Sequence, residues 1–186
     1  MKRMAPGRRV VHLATHGFFL HPPCLPRRPS SGGSEPDPRT IGSPLLRSGL
    51  ALAGSNGRPR PQSAPEDGLL TAEEIAGIDL RGVEWAVLSA CDTGGGDEHV
   101  SEGLLGLRRA FQSAGARTVI VSLWRVDDAW ARHWMHSLYR ARFEEGLDTA
   151  HAVRRATIDA IEALRKQTGS AHPYAWGAFV AAGDWH

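Results

Sequence analysis

Three short apolar runs constrain what this chain can fold into more than any other part of its sequence. They cover residues 9–15 (RVVHLAT), 83–90 (VEWAVLSA) and 117–124 (RTVIVSLW). Each is rich in Val, Leu, Ile or Trp, and none alternates strictly between apolar and polar residues. That pattern is typical of strands covered on both faces, as the strands of parallel sheets are. We therefore predict that the three runs are buried strands of a mainly parallel sheet.

Helix-starting signals separate and follow these runs. The side chains of Ser, Thr and Asp accept hydrogen bonds from the free N–H groups at the start of a helix. The predicted caps are Thr71, where Glu74 completes a capping box, Ser101, either Asp127 or Asp128, and Asp148. Gly169 is expected to end the last helix. Residues 174–181 predict one further strand. Strands and helices in this order predict an α/β fold, a three-layer sandwich with a mainly parallel central sheet flanked by helices and joined by right-handed crossovers.

One stretch of the chain is unlike the rest, because ten of the twelve prolines fall between Pro22 and Pro65, interleaved with Gly and Ser. Proline has no backbone N–H to donate, so such a stretch cannot sustain a helix or a sheet ladder. We predict a loop or disordered insertion over about residues 21–66. Within it, the apolar segment 44–54 (PLLRSGLALAG) is expected to dock on the core as a short strand or turn.

The composition is that of an ordinary globular domain. The 186 residues include 41% hydrophobic and 23% charged residues with a net charge of +2, so we expect one domain over residues 1–186. No block of five or more like charges appears, which argues against nucleic acid as a partner. The longest apolar run, 119–124, is far shorter than the roughly 20 residues that cross a bilayer, so no membrane partner is expected. The two cysteines, Cys24 and Cys91, make no disulfide framework and indicate a reducing, cytoplasmic setting.

Two further patterns resemble cofactor sites at first sight. The glycine run 94–96 precedes a predicted helix, as phosphate-binding loops do, but no Gly-Lys-Ser/Thr follows it. His133 and His136 share one helical face, yet no further ligands stand at zinc spacing. We therefore expect neither a cofactor nor a metal.

Two reactive side chains follow neighbouring runs. His16 comes directly after the first run and Cys91 after the second, 75 residues apart in the chain. If the two strands lie side by side, their carboxyl ends bring both residues to one edge of the sheet. A thiol and an imidazole are the groups that acyl transfer needs, and the backbone N–H groups of Gly17 and Cys91 are candidate donors to an oxyanion. A buried cysteine and a hydrogen-bonded core histidine are the alternative, and spacing alone does not decide between the two.

Six segments around and beyond these positions form a recognisable set of motifs. They are ATHGF around His16, PLLRSGLALAG at 44–54, DGLLTAEEIAGIDLRG at 67–82, VLSACDTG at 87–94, EGLLGLRRAFQSAGARTVIVSLWRVDD at 102–128 and HPYAWGAFVAAGDW at 172–185. Together they resemble a known family, the CHAT domain, which belongs with the caspase-like cysteine peptidases alongside separase, gingipains and metacaspases. The resemblance implies a caspase-like fold in which His16 takes the catalytic histidine position and Cys91 that of the nucleophile. No third, orienting residue is implied.

The function that this resemblance implies is that of a cysteine endopeptidase, which hydrolyses a peptide bond in a protein substrate through a Cys/His dyad. Regulation by other domains or partners is expected, including helical-repeat regions of the tetratricopeptide type. Asp92, Asp127 and Asp128 are expected to line the substrate-binding pocket and to favour a Lys or Arg before the scissile bond. The alternative for Asp127 or Asp128 is a helix cap. The alternative for the whole chain is a catalytically inactive CHAT fragment that acts as a protein-interaction module.

Family members normally carry further chain before the histidine strand, including at least one more core strand. Only about eight residues precede that strand here. We therefore expect the single domain to be N-terminally truncated. A fragment, a late start codon and a degenerate copy whose sheet lacks an edge all fit this pattern.

Overall fold

The computed structural model describes residues 1–2, 4–20, 44–55, 68–89 and 99–186. Their strands are β1 (Val10–Ala14), β2 (His16–Phe19), β3 (Ser48–Ala51), β4 (Leu69–Thr71), β5 (Trp85–Ser89), β6 (Thr118–Ser122) and β7 (Phe179–Gly183). Their helices are α1 (Pro44–Arg47), α2 (Ala72–Ala76), α3 (His99–Ser113), α4 (Asp128–Phe143), α5 (Thr149–Thr168) and α6 (Pro173–Trp176). None of the helices in these ranges is long and apolar enough to cross a membrane.

The larger sheet contains the three apolar runs. Its strand order is β1-β5-β6-β7. β5 pairs in parallel with β1 on one side and with β6 on the other, whereas β7 runs antiparallel to β6. The predicted parallel sheet is thereby confirmed, and β1 and β5, which carry the two reactive positions at their ends, are direct neighbours. β1 is the edge strand of this sheet and its His12 and Ala14 are exposed, so the expectation that this strand is covered on both faces was wrong.

Alternate residues of the central strands feed two separate cores. Ala86 and Leu88 of β5 pack with α2 and α3, where Phe111 is fully buried. Trp85 and Val87 point the other way and pack with α4 and α5, where Trp134 stacks on Phe179 of β7 with ring centroids 4.4 Å apart. Because successive side chains of a strand point to opposite faces, one apolar run serves both layers. The fold is an α/β sandwich with a mainly parallel sheet flanked by helices, as predicted.

A second, smaller sheet was not predicted. It is antiparallel, with the strand order β2-β3-β4, and β3 comes from the apolar segment within the proline-rich stretch. Leu50 of β3 is fully buried, so the expectation that this segment docks on the core is confirmed. A Cβ on Gly49 would lie 2.5 Å from Phe18 Cζ and 2.6 Å from the Leu70 carbonyl oxygen, so the three strands pack this closely only with glycine there. Such pairing joins residues far apart in the chain, and local patterns do not show it.

Most of the helix caps stand where the sequence placed them. Thr71 and Glu74 form the reciprocal capping box of α2, and Asp148 caps the start of α5, whose C-terminal cap is Gly169 with φ 73°. Ser101 was a wrong choice, since α3 begins earlier, at His99, and no helix-breaking residue stands between the two. The strand predicted over 174–181 was also misplaced. Pro173 follows the cap His172 and starts a helical turn there, so β7 forms only from Phe179.

An ion cluster ties three elements together at the amino end of the larger sheet. The Glu84 carboxylate, just before β5, accepts hydrogen bonds from Arg9 Nε and Nη2 at 3.1 and 3.0 Å. It also accepts one from Arg142 Nη2 of α4 at 3.4 Å. The hydrogen bonds from Arg9 hold the pKa of Glu84 below its ordinary value of 4.5, against the opposing effect of its partial burial.

Replacing Glu84 with glutamine is expected to lower the thermal midpoint at pH 7. Because the folded-state pKa of Glu84 is depressed, its carboxylate stabilises the fold above pH 4.5, and this contribution is lost as the pH falls through the depressed value. The difference in midpoint between wild type and Glu84→Gln should therefore shrink from pH 7 to pH 3. Glu162→Gln, on the exposed face of α5, is the matched control. An equal difference at both pH values would contradict the assignment.

Candidate active site

His16 stands at a corner of the chain, where the polypeptide leaves the larger sheet for the smaller one. It is the first residue of β2 and follows β1 after the single residue Thr15. Its exposed side chain lies at a cavity of about 240 Å³ at the carboxyl ends of β1, β5 and β6. The cavity is lined by Thr15, His16, Ser89, Ser122, Arg125, Val126, Asp128, Ala131 and Phe179. This is the sheet edge at which α/β proteins of this topology bind ligands.

The register of β1 and β5 relates the two predicted catalytic positions to each other. Ala14 and Ser89, the last residues of the two strands, are Cα partners across the parallel ladder. His16 and Cys91 each come two residues later in the chain. Ser89 lines the same cavity as His16. Cys91 and Asp92 themselves lie outside the described residues, as does Cys24.

Gly17, the predicted oxyanion donor beside the histidine, is buried in β2. In the ladder between β2 and β3 it stands opposite Leu50, and three residues further on the Leu20 N–H donates to the Arg47 carbonyl at 2.7 Å. Hydrogen-bonded and non-hydrogen-bonded pairs alternate along an antiparallel ladder, so Gly17 and Leu50 form a non-hydrogen-bonded pair. The Gly17 N–H is therefore directed away from β3.

The two aspartates at the start of α4 have different positions. Asp127 Oδ1 accepts hydrogen bonds from the backbone N–H groups of Ala129 at 2.9 Å and Trp130 at 3.4 Å, so this carboxylate caps the helix. Asp128, one residue later, lines the cavity. Arg125 lines it as well, and the wall therefore carries a side chain of each charge.

Several cavity residues were missed by sequence reasoning. Ser89 and Ser122 are small polar residues at the ends of β5 and β6. Ser122 Oγ donates to the Trp124 carbonyl at 2.6 Å, which holds the chain as it turns from β6 towards α4. The rule that selected His16, a polar residue directly after an apolar run, would have found Arg125 after the third run, whereas both serines lie inside the runs and gave no such signal. Phe179 comes from the far end of the chain and has no such signal.

The described part of the chain holds no group of three or more His, Cys, Asp or Glu side chains that could bind a metal ion. His133 is exposed on α4 and stands edge-on to the Trp130 ring at 6.1 Å.

An α/β sandwich whose mainly parallel sheet presents a histidine and the end of the adjacent strand at one carboxyl edge has the architecture of a caspase-like domain. Comparison with protein families agrees with this class. The family model of the CHAT domain matches residues 1–184, and the chain belongs to this family.

Two similar curated proteins share the name tetratricopeptide repeat protein 28. The one from Mus musculus is 32% identical over 117 residues, which are 62% of this chain and 4% of that protein. The one from Homo sapiens is 28% identical over 180 residues, which are 94% of this chain and 7% of that protein. The chain therefore spans only a small part of the length of these relatives.

Replacing Asp127 with alanine is expected to lower the free energy of unfolding by about 1 kcal/mol, because the first turn of α4 loses its cap. Asp128→Ala should cost less, since that side chain provides only a favourable charge near the helix start. Denaturant unfolding of both variants measures the difference. Equal losses would show that Asp127 is not the residue that stabilises the helix start.

Proposed function

We propose that this CHAT domain is a caspase-like cysteine endopeptidase that hydrolyses a peptide bond in a protein substrate through Cys91 and His16. The observation that carries the proposal is the register of β1 and β5. Ala14 and Ser89 are paired, and the histidine and the cysteine follow them at equal offsets. Two residues of extended chain span at most about 7 Å between Cα atoms, and Ser89, two residues before Cys91 in the chain, lines the cavity with His16.

The reaction needs only groups of this chain and one water molecule. The Cys91 thiol gives its proton to the His16 imidazole, and the sulfur attacks the scissile carbonyl carbon. The oxyanion that forms accepts hydrogen bonds from the backbone N–H groups of Gly17 and Cys91, a contribution worth about 3 kcal/mol per donor in comparable enzymes. The imidazolium then protonates the leaving amine as the C–N bond breaks and a thioester remains. A water molecule then gives a proton to the His16 imidazole as its oxygen attacks the thioester carbonyl. The C–S bond breaks, the imidazolium protonates the leaving sulfur, and the carboxylic acid product leaves.

The orientation of Gly17 supports its part in this scheme. Its N–H points away from β3, on the outer side of the smaller sheet, and it is the residue directly after the histidine. We propose that this donor, beside the general base, binds the oxyanion of the attacked carbonyl.

Substrate choice is proposed to depend on negative charge in the cavity. Asp128 lines it together with Arg125, whose positive charge offsets one carboxylate, and Asp92 follows the nucleophile directly. We propose that the two aspartates together leave a net negative charge, which a Lys or Arg before the scissile bond complements. Asp127 serves the helix cap instead.

The partners proposed for the domain follow from the relatives. Both are named as tetratricopeptide repeat proteins, and helical repeats are extended surfaces suited to binding another protein. We propose that such repeats or a regulatory protein order the site before cleavage. A reducing, cytoplasmic setting would keep the nucleophilic thiol in its active form.

Labelling with an electrophilic peptide probe tests the dyad. Wild type should be modified at Cys91, and Cys91→Ala should not react. His16→Ala should react at least about 100-fold more slowly at neutral pH, because the general base is missing. Cys24→Ala is the control and should label like wild type. Equal modification of Cys24 and Cys91, or labelling of Cys91 that His16→Ala does not slow, would contradict the dyad. A catalytically inactive protein-interaction module would then be the better explanation.

A peptide library in which the residue before the scissile bond is varied over all amino acids tests the charge of the cavity. Wild type should cleave after Lys and Arg, and Asp128→Asn should lower this preference by about tenfold, since a complementary charge is lost. Asp127→Asn should leave the preference unchanged. Equal cleavage after Ala and Arg by wild type, or a preference for an acidic residue, would end the hypothesis of an acidic pocket.

A further inference from the structure

Thr15 is the only residue between β1 and β2, and it is where the chain passes from one sheet to the other. β1 is paired with β5 in the larger sheet, and β2 is paired with β3 in the smaller one. The backbone at Thr15 therefore sets the direction in which the next residue, His16, leaves the sheet edge. Thr15 also lines the cavity itself.

A hydrogen bond fixes this corner. The Thr15 hydroxyl donates to the backbone carbonyl of Ala51, the last residue of β3. Ala51 is also the Cα partner of His16 across the β2–β3 ladder. Two consecutive residues of the corner are thus tied to a single residue of the neighbouring strand. Threonine is branched at Cβ and has few χ1 rotamers available, so its hydroxyl makes a stiff connection.

We propose that Thr15 is a positioning residue, whose hydroxyl bond to Ala51 holds the His16 imidazole in the orientation that proton transfer requires. The inference rests on the proposed function, because it is in the proposed peptidase reaction that His16 transfers a proton. The orientation itself is a property of the folded chain with or without catalysis. Misplacement of a catalytic group by about 1 Å can cost about 100-fold in rate, so a loose corner reduces kcat more than it reduces peptide binding.

The chain offers a matched control for the loss of such a bond. The Thr118 hydroxyl donates to the Asp184 carbonyl at the opposite, amino end of β6. Thr118→Val removes the same kind of threonine–carbonyl bond, far along the strand from the cavity at Ser122. This variant measures the loss of stability caused by removing a threonine–carbonyl hydrogen bond that does not hold a catalytic residue.

The kinetic experiment compares Thr15→Val, Thr15→Ser and Thr118→Val in the full chain, on a peptide that wild type cleaves. Thr15→Val should lower kcat by about 10- to 100-fold with KM nearly unchanged. Thr15→Ser keeps the hydroxyl and should restore most of kcat. Thr118→Val should lower the thermal midpoint but leave kcat unchanged. A kcat loss in Thr118→Val as large as in Thr15→Val, or no rescue by serine, would overturn the proposal.

A second readout does not depend on activity. The ring resonances of His16, assigned with His16→Gln in a protein labelled with ¹³C-histidine, should shift and broaden in Thr15→Val and stay at their wild-type positions in Thr118→Val. Unchanged His16 resonances in Thr15→Val would overturn the positioning role. If wild type cleaves no peptide, the proposed peptidase function fails, and these resonances still decide whether Thr15 orients His16.

Discussion

The parallel pairing of β1 with β5 is the interaction on which the rest of the site depends. It holds together two strand ends whose following residues, His16 and Cys91, are 75 positions apart in the chain. Closing so long a loop costs conformational entropy, and parallel strands have no local hairpin to offset it. The burial of apolar side chains offsets this entropy cost instead. β5 is covered on both faces and contributes Trp85 and Val87 to one core and Ala86 and Leu88 to the other.

The second constraint is the corner at which the chain changes sheets. A histidine at the end of a straight strand would continue in the plane of the larger sheet. Here the smaller sheet turns the chain after Ala14 and fixes His16 against Ala51. The candidate site is therefore bounded by the two sheets and by the first turn of α4. The Thr15 hydroxyl donates to β3 of the smaller sheet, the Ser122 hydroxyl holds the turn after β6 of the larger sheet, and the Asp127 carboxylate accepts from the first turn of α4. Such a site is shaped mainly by backbone geometry.

Much of the larger sheet and of the helix starts was predictable, because local signals determine them. The apolar runs became β1, β5 and β6, and Thr71, Asp127 and Asp148 cap the helices that follow them. The smaller sheet was not predictable in this way, since β3 lies inside the proline-rich insertion and pairs with β2, which precedes the insertion. His16 was found from its place after an apolar run, whereas Phe179 reaches the cavity only through the antiparallel return of β7. The choice between Asp127 and Asp128 as the helix cap also depended on the tertiary structure, because either residue can begin a helix.

By itself, the sequence determined the class of fold, the family and the residue types available for chemistry, since apolar periodicity, capping residues and motif spacing are written along the chain. The tertiary structure alone decided that β1 and β5 are neighbours, that their last residues are in register, and that Asp128 rather than Asp127 faces the cavity. The physical reason is that strand order, register and the direction of a side chain depend on packing between distant segments. No local pattern in the sequence specifies those contacts.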